Sequence, residues 1–338
     1  MGTSQRAGLA IRRLSAPASL AAFIILGVTV SSLAVPPTSA RARPAGQASP
    51  ALSASAAPDR LPNRNGRIVF LETVPPGGGE GRRDVFTVRR DGTGIKRLTF
   101  RREHTFARWG PFGHRILYDV TSGRGQGIWV MGAAGRHKQR LIARRHPDFA
   151  AAWAPGGRRF LFSRGAGAGT RLYVYSFATG AAKPIGSATG DYVYDADDAV
   201  WSPDGRRIAF VRPNDDDRFI SDLFTIRANG TGLRRLTSTP SHYESAPDWS
   251  PNGRRLVFNR SGEFSNCSRL YTIRANGSAP ARLVRAGCGS EGAAWSPDGR
   301  KFVVFRSDPR YGLWIMPVYG SPRRFLVPGA GADWQPRR

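Results

Sequence analysis

Beyond residue 64 the apolar residues fall into short runs separated by turn-forming residues, and the runs recur in a fixed order. Ile208-Ala209-Phe210-Val211, Leu256-Val257-Phe258 and Phe302-Val303-Val304-Phe305 are examples of the first run. A second follows, such as Leu223-Phe224-Thr225-Ile226-Arg227 or Leu270-Tyr271-Thr272-Ile273-Arg274. Then come a turn, Ala228-Asn229-Gly230 or Ala275-Asn276-Gly277, and a short third run such as Arg235-Leu236-Thr237. Apolar runs this short, bounded by Gly, Asn and Pro, predict β-strands. Asn-Gly and Asp-Gly predict tight hairpins between them, because Gly reaches positive φ without steric cost.

Six tryptophans set the period. Trp109, Trp153, Trp201, Trp249, Trp295 and Trp334 lie 44, 48, 48, 46 and 39 residues apart. Four continue almost identically: Trp153-Ala154-Pro155-Gly156-Gly157-Arg158-Arg159, Trp201-Ser202-Pro203-Asp204-Gly205-Arg206-Arg207, Trp249-Ser250-Pro251-Asn252-Gly253-Arg254-Arg255 and Trp295-Ser296-Pro297-Asp298-Gly299-Arg300-Lys301. Trp109-Gly110-Pro111-Phe112-Gly113 is a looser copy. The proline ends the strand that carries Trp, since it has no N–H for the ladder. With that strand, each unit has four, A to D. One such unit cannot bury both its faces, whereas units arranged radially can, which predicts an all-β, six-bladed β-propeller of four-stranded blades.

One blade is split. Asn65-Gly66-Arg67-Ile68-Val69-Phe70 matches the end of an A–B turn plus strand B, with no Trp before it. Asp333-Trp334-Gln335-Pro336 matches strand A with no strand B after it. The two halves are expected to pair and close the ring. The Trp-Ser-Pro-Asp-Gly repeats resemble the WD40-like repeats of the TolB-like six-bladed propeller family, over roughly residues 65–336. The resemblance implies fold more than function. TolB carries an α/β domain before its propeller and works in an envelope complex, whereas here only a linker is expected before the propeller.

Residues 1–40 read as a signal peptide. Arg6, Arg12 and Arg13 precede an apolar run, Leu20 to Val30, and then Pro36-Pro37-Thr38-Ser39-Ala40. That run is too short to span a bilayer comfortably, so any membrane contact is expected only through an uncleaved signal segment. Residues 41–64, rich in Ala, Pro, Ser and Arg, read as a disordered linker, and 65–338 as the propeller. The expected location is secreted or cell envelope. Two cysteines exclude a disulfide-dense miniprotein and a four-cysteine zinc site. Cys267 and Cys288 flank the C–D hairpin of one unit. If Arg274 faces Ala281, the two sit opposite each other and form a disulfide.

Charge adds a direction. The chain carries 51 Lys and Arg against 24 Asp and Glu, a formal +27. The A–B and C–D turns of an up-and-down blade share one face, and they carry Arg158, Arg159, Arg206, Arg207, Arg234, Arg235, Arg254 and Arg255. That face is expected to be positive and to attract an anionic partner; an Arg-rich surface that merely follows composition is the competing reading. The opposite face receives His104, His146, Asp148, His242 and Glu244, each five or seven residues before a Trp, as a candidate ligand site at the channel mouth, against a reading as loop caps. Asp195, Asp197 and Asp198, with Asp215, Asp216 and Asp217 of the same blade, offer carboxylates for Ca²⁺; a solvated acidic loop paired with Arg212 and Arg218 competes. No other cofactor is expected.

No Gly-x-Ser-x-Gly elbow, His-Glu-x-x-His or Gly-rich phosphate loop occurs. Basic helices and RNP-like aromatic motifs are absent too, so no specific nucleic acid is expected. The sequence therefore reads as an exported, monomeric binding or scaffold protein of the cell envelope that recognises a protein or an anionic polymer. The competing class is a carbohydrate-active lyase or hydrolase using His and carboxylates at the channel mouth.

Overall fold

The computed structural model describes residues 64–74, 82–100, 103–143, 148–166, 169–186, 197–213, 220–262, 265, 267–284, 286–307 and 310–337. The expected signal peptide and nearly all of the expected linker lie outside them.

The described residues form strands and no helix. β1 (Arg64–Val74), β2 (Arg82–Val88) and β3 (Lys96–Arg97) come first. β4 (Ala107–Trp109), β5 (Arg115–Val120), β6 (Gly127–Gly132) and β7 (Gln139–Ala143) form blade 2. β8 (Asp148–Trp153), β9 (Arg159–Ala166), β10 (Gly169–Ser176) and β11 (Ala181–Pro184) form blade 3. β12 (Asp197–Trp201), β13 (Arg207–Pro213), β14 (Ser221–Arg227) and β15 (Arg234–Arg235) form blade 4. β16 (His242–Trp249), β17 (Arg255–Gly262), β18 (Arg269–Arg274) and β19 (Arg282–Leu283) form blade 5. β20 (Ser290–Trp295), β21 (Lys301–Arg306), β22 (Gly312–Pro317) and β23 (Arg324–Val327) form blade 6. β24 (Ala330–Arg337) pairs antiparallel with β1 and completes blade 1, with Trp334 opposite Ile68. One parallel bridge, Ser221 to Tyr243, links blades 4 and 5 at their rims.

The core lies between blades rather than within them. Val69, Leu71 and Val85 of blade 1 pack with Trp109, Ile116 and Met131 of blade 2. Leu161, Leu172 and Ile185 of blade 3 meet Trp201, Ile208 and Phe210 of blade 4. The same happens at the seam, where Ile68, Phe70 and Trp334 meet Val303, Leu313 and Ile315 of blade 6. Each repeat Trp faces the preceding blade, and the innermost strands pack in series, β24 on β4, β4 on β8, and so on to β20 on β24. A sheet with two apolar faces and one partner per face is thereby buried on both.

Two local devices recur. In the A–B turn, the Arg207 N–H donates to Ser202 Oγ at 2.9 Å and the Arg206 N–H to Asp204 Oδ1 at 3.0 Å. Ser250 with Asn252, and Ser296 with Asp298, repeat these bonds at the same distances. The repeated serines are turn-closing groups. In strand A, a bulge falls three residues before Trp, where Asp198, Ala246, Gly292 and Gly331 have φ of 50°, 49°, 56° and 60°. A left-handed backbone is costly for a residue with Cβ. Ala246→Gly should therefore raise stability by about 1 kcal/mol, read as a shift in the denaturant midpoint with unchanged slope.

Candidate functional site

The A–B turns of blades 4, 5 and 6 enclose a groove of about 1250 Å³. Arg206, Arg207, Arg254, Arg255, Arg274 and Arg300 line it, and all six are exposed. Its two acids are engaged at home. Asp204 accepts from Ser202 Oγ and the Arg206 N–H, and Asp298 from Ser296 Oγ, the Arg300 N–H and Asn65 Nδ2. Tyr319, 90% exposed, stands at the blade 6 end. Four of the arginines expected on the basic face, Arg206, Arg207, Arg254 and Arg255, line this one concave surface.

Two of the arginines expected on that face are diverted. Arg235 forms an ion pair with Asp222, and its Nε donates to the Thr237 carbonyl at 2.9 Å, because Asp222 is buried and needs a cation. Arg159 lies over the Trp201 ring, 5.8 Å from its centroid. Arg158 is exposed in the turn of blade 3, and Arg234 lies beside Gly277 in the C–D turn of blade 5.

The candidate ligand residues do not converge. Asp148 takes a two-pronged contact from Arg164, at 2.7 and 3.1 Å. Glu244 pairs with Arg260, accepts from Thr237 Oγ1 at 2.5 Å and from the Leu223 N–H at 3.1 Å. Burial raises its pKa. In both cases the acid and the arginine are direct ladder partners on strands A and B. Ser290 and Arg306 occupy the same pair of positions in blade 6, with Nη1 to Oγ at 2.7 Å. His104 is buried, with its Nδ1–H donating to the Asp119 carbonyl and its Nε2 3.8 Å from Asp84, and burial lowers its pKa. The Nδ1–H of His242 donates to the Pro240 carbonyl at 2.9 Å. His146 lies outside the described residues. Asp148, Glu244 and His104 thus tie strand A, or the loop leading into it, to strand B of the same blade.

Of the acidic cluster, Asp195, Asp215, Asp216 and Asp217 lie outside the described residues. Asp197 opens β12, and the Asp198 carboxylate accepts the Ala246 N–H at 2.9 Å, joining blade 4 to blade 5. Among the described residues no group of three or more His, Cys, Asp or Glu is placed to hold a metal ion.

A charged group that sequence reasoning passed over sits on the innermost strands. Asp248 and Asp333 each immediately precede a repeat Trp, and each accepts the N–H of the Trp in the following blade, Trp295 at 2.8 Å and Trp109 at 2.7 Å. Both keep some accessible surface yet are surrounded by strands. Burial, then the proximity of Asp333, pushes Asp248 up to about 7, with Arg108 opposing. Burial pushes Asp333 up to about 6, again against Arg108. Arg108 occupies the same pre-Trp position in blade 2. Three charged residues at one repeat position, otherwise filled by Ala152, Val200 and Ala294, were the available signal.

Cys267 and Cys288 are joined by a disulfide, with Cα atoms 5.0 Å apart. The expected register is one residue off. Tyr271 faces Leu283 and Thr272 faces Arg282, and the cysteines meet beyond the end of this two-pair ladder. A short strand D leaves the chain free to converge there.

A sequence profile described as the TolB beta propeller domain matches residues 87–298. The Tol-Pal system protein TolB of Anaeromyxobacter dehalogenans (strain 2CP-C) is 31% identical over 185 residues, covering 49% of this chain and 40% of that protein. Its counterpart in Anaeromyxobacter sp. (strain K) is 31% identical over 165 residues, covering 46% and 36%. The chain thus spans less than half the length of these curated relatives. Among solved structures, TolB from Acinetobacter baumannii superposes with a TM-score of 0.68 at 20% identity, covering 80% of this chain and 67% of that one. Oligogalacturonate lyase in complex with manganese gives 0.52 at 14%, covering 74% and 71%. At these identities the structural likeness shows the fold alone. The profile covers more than half of the sequence, and the chain belongs to the TolB β-propeller family.

Proposed function

We propose that the protein is an extracytoplasmic β-propeller that binds an envelope partner, a protein or an anionic polymer, through the arginine-lined groove of blades 4 to 6. The observation that carries this reading is the groove itself: six exposed guanidinium groups, with the acids of the same turns already hydrogen-bonded to turn groups and, for Asp298, to Asn65. A positive field in a concave surface steers anions toward it. Relatives named for the Tol-Pal system, and the basic, apolar and small-residue order of residues 1–40, support a place outside the cytoplasm. Catalysis is not part of the reading, because Asp148 and Glu244 are held in ion pairs and His104 is buried.

Replacing Arg206, Arg207, Arg254 and Arg255 by Glu should abolish capture of partner from envelope extract, while the melting temperature stays within about 2 °C, as expected for exposed positions. Capture by the unaltered chain should weaken as salt shortens the Debye length to about 8 Å at 0.15 M. Salt-independent capture, or capture unaffected by the four reversals, overturns the reading.

A further inference from the structure

We infer that the groove is built for a linear polyanion without a peptide backbone, a polyphosphate- or polyuronate-like chain on which phosphate or carboxylate charges repeat. The inference rests on the partner-binding reading above and narrows its occupant. The turn of each of the three blades is closed by the same pair of bonds at the same lengths, so its first arginine leaves the backbone in the same way each time. Arg206, Arg254 and Arg300 are therefore one residue repeated on three successive blades, a stepped row of forked cations. Arg207, Arg255 and Lys301 follow them in the same turns, and Arg207 and Arg255 also line the groove. No ion pair engages any of these six residues among the described contacts.

A stepped row matches a ligand whose charges are themselves stepped, and a guanidinium fork matches carboxylate or phosphate oxygens. A compact anion has no repeat of its own to follow along the row. A folded protein partner is matched less well, because protein interfaces centre on an apolar, largely uncharged patch. Here the apolar lining is confined to proline rings, Ala275, Val318, Tyr319 and the edges of the buried Trp249 and Trp295. The exposed Tyr319 ring gives a flat surface at one end, suited to a sugar or to the chain backbone.

The test uses the full chain with labelled polyphosphate and labelled polygalacturonate, followed by fluorescence anisotropy. Inorganic phosphate and galacturonate at equal charge concentration serve as monomer competitors. At least one polymer should bind, the monomers should not displace it, and binding should fall steeply with salt, as counterion release requires. Which polymer binds tells phosphate from carboxylate chemistry. Replacing Arg206, Arg254 and Arg300 together by Gln should weaken binding at least about tenfold and flatten the salt dependence. Replacing Arg136, Lys138 and Arg140 together by Gln, exposed cations of blade 2, should change it less than about twofold. Thermal melts of both variants establish that they are folded. Equal losses in the two triple variants overturn the inference, as does displacement by monomers. Binding of poly-L-glutamate with neither polymer overturns it in favour of an acidic peptide. If neither polymer binds while groove-dependent capture of an envelope protein persists, the polyanion is rejected and the partner-binding reading stands.

Discussion

Deleting residues 330–338 is expected to destroy the cooperative melting transition of the propeller, not to trim its edge. β24 supplies strand A of blade 1, and Trp334, 3% exposed, fills the seam against Val303, Leu313 and Ile315 of blade 6. Gln335 bridges two blades, accepting the Arg67 N–H at 2.9 Å and donating to the Gly113 carbonyl at 2.8 Å. Asp333 is lost as well, and with it the bond to Trp109. Without the strand, β1 becomes an open edge and the apolar cluster at the seam meets water. Trp334→Ala alone should cost about 4 kcal/mol, equivalent to a drop in Tm of roughly 10 °C for a domain of this size. Tyr319→Ala, at a site 90% exposed, is the matched control and should leave Tm unchanged. A truncated chain that melts like the intact one disproves the role given to β24.

The second large effect is a pH dependence opposite to that of most ion-paired carboxylates. Asp248 stands at about 7 in the folded protein, above its ordinary 3.8. The folded state therefore keeps a proton that the unfolded chain releases as pH rises past 4. By linkage the penalty grows from about pH 4 to about pH 7 and is constant above it. Asp333, at about 6, adds a smaller penalty over a narrower range. Asp248→Asn keeps an acceptor for the Trp295 N–H and removes the titration. The variant should match the unaltered protein near pH 4 and exceed its stability at pH 8 by up to about 4 kcal/mol. Arg108→Gln should act in the reverse sense, lowering stability at pH 8 and leaving it unchanged near pH 4, because its charge favours both carboxylates. Denaturant midpoints across this range, compared between variants so that the general charge of the surface cancels, give the answer. A gain for Asp248→Asn that is the same at pH 4 and pH 8 rules out a titrating Asp248.

The fold was legible because its most informative residues serve the turn and the blade interface at once. Trp201, Pro203, Asp204 and Gly205 specify where strand A stops, how the chain turns and which face is apolar. Each demand is local, and repetition makes it audible. Even the split blade could be read, since half a repeat at one end matches the half missing at the other. The site was harder. His104, Asp148 and Glu244 stood out as charged groups near strand A, but their meaning lay in the residue across the ladder. Asp148 and Glu244 each have an arginine sixteen residues later, at Arg164 and Arg260, and that spacing marks a cross-strand pair. Asp248 and Asp333 were hidden by adjacency to Trp, where every residue reads as part of the repeat. Charge on the turns, in contrast, needed only topology to be placed on one face. Concavity and the diversion of Arg235 to Asp222 depend on three-dimensional packing that no repeat pattern encodes.

Because every tryptophan leans on the preceding blade, the unit that evolves is not the unit that repeats. A change of shape at Trp249 can be answered at Ala209 or Val211 of the preceding blade, about 40 residues upstream, as well as at Leu256 or Phe258 of its own A–B hairpin. Compensating substitutions between blades should therefore fall one repeat length apart along most of the chain. At the seam alone the interval changes, since Trp334 shares its cluster with both Val303 and Ile68. There, β1 and β24 must mutate in concert across the whole length of the propeller.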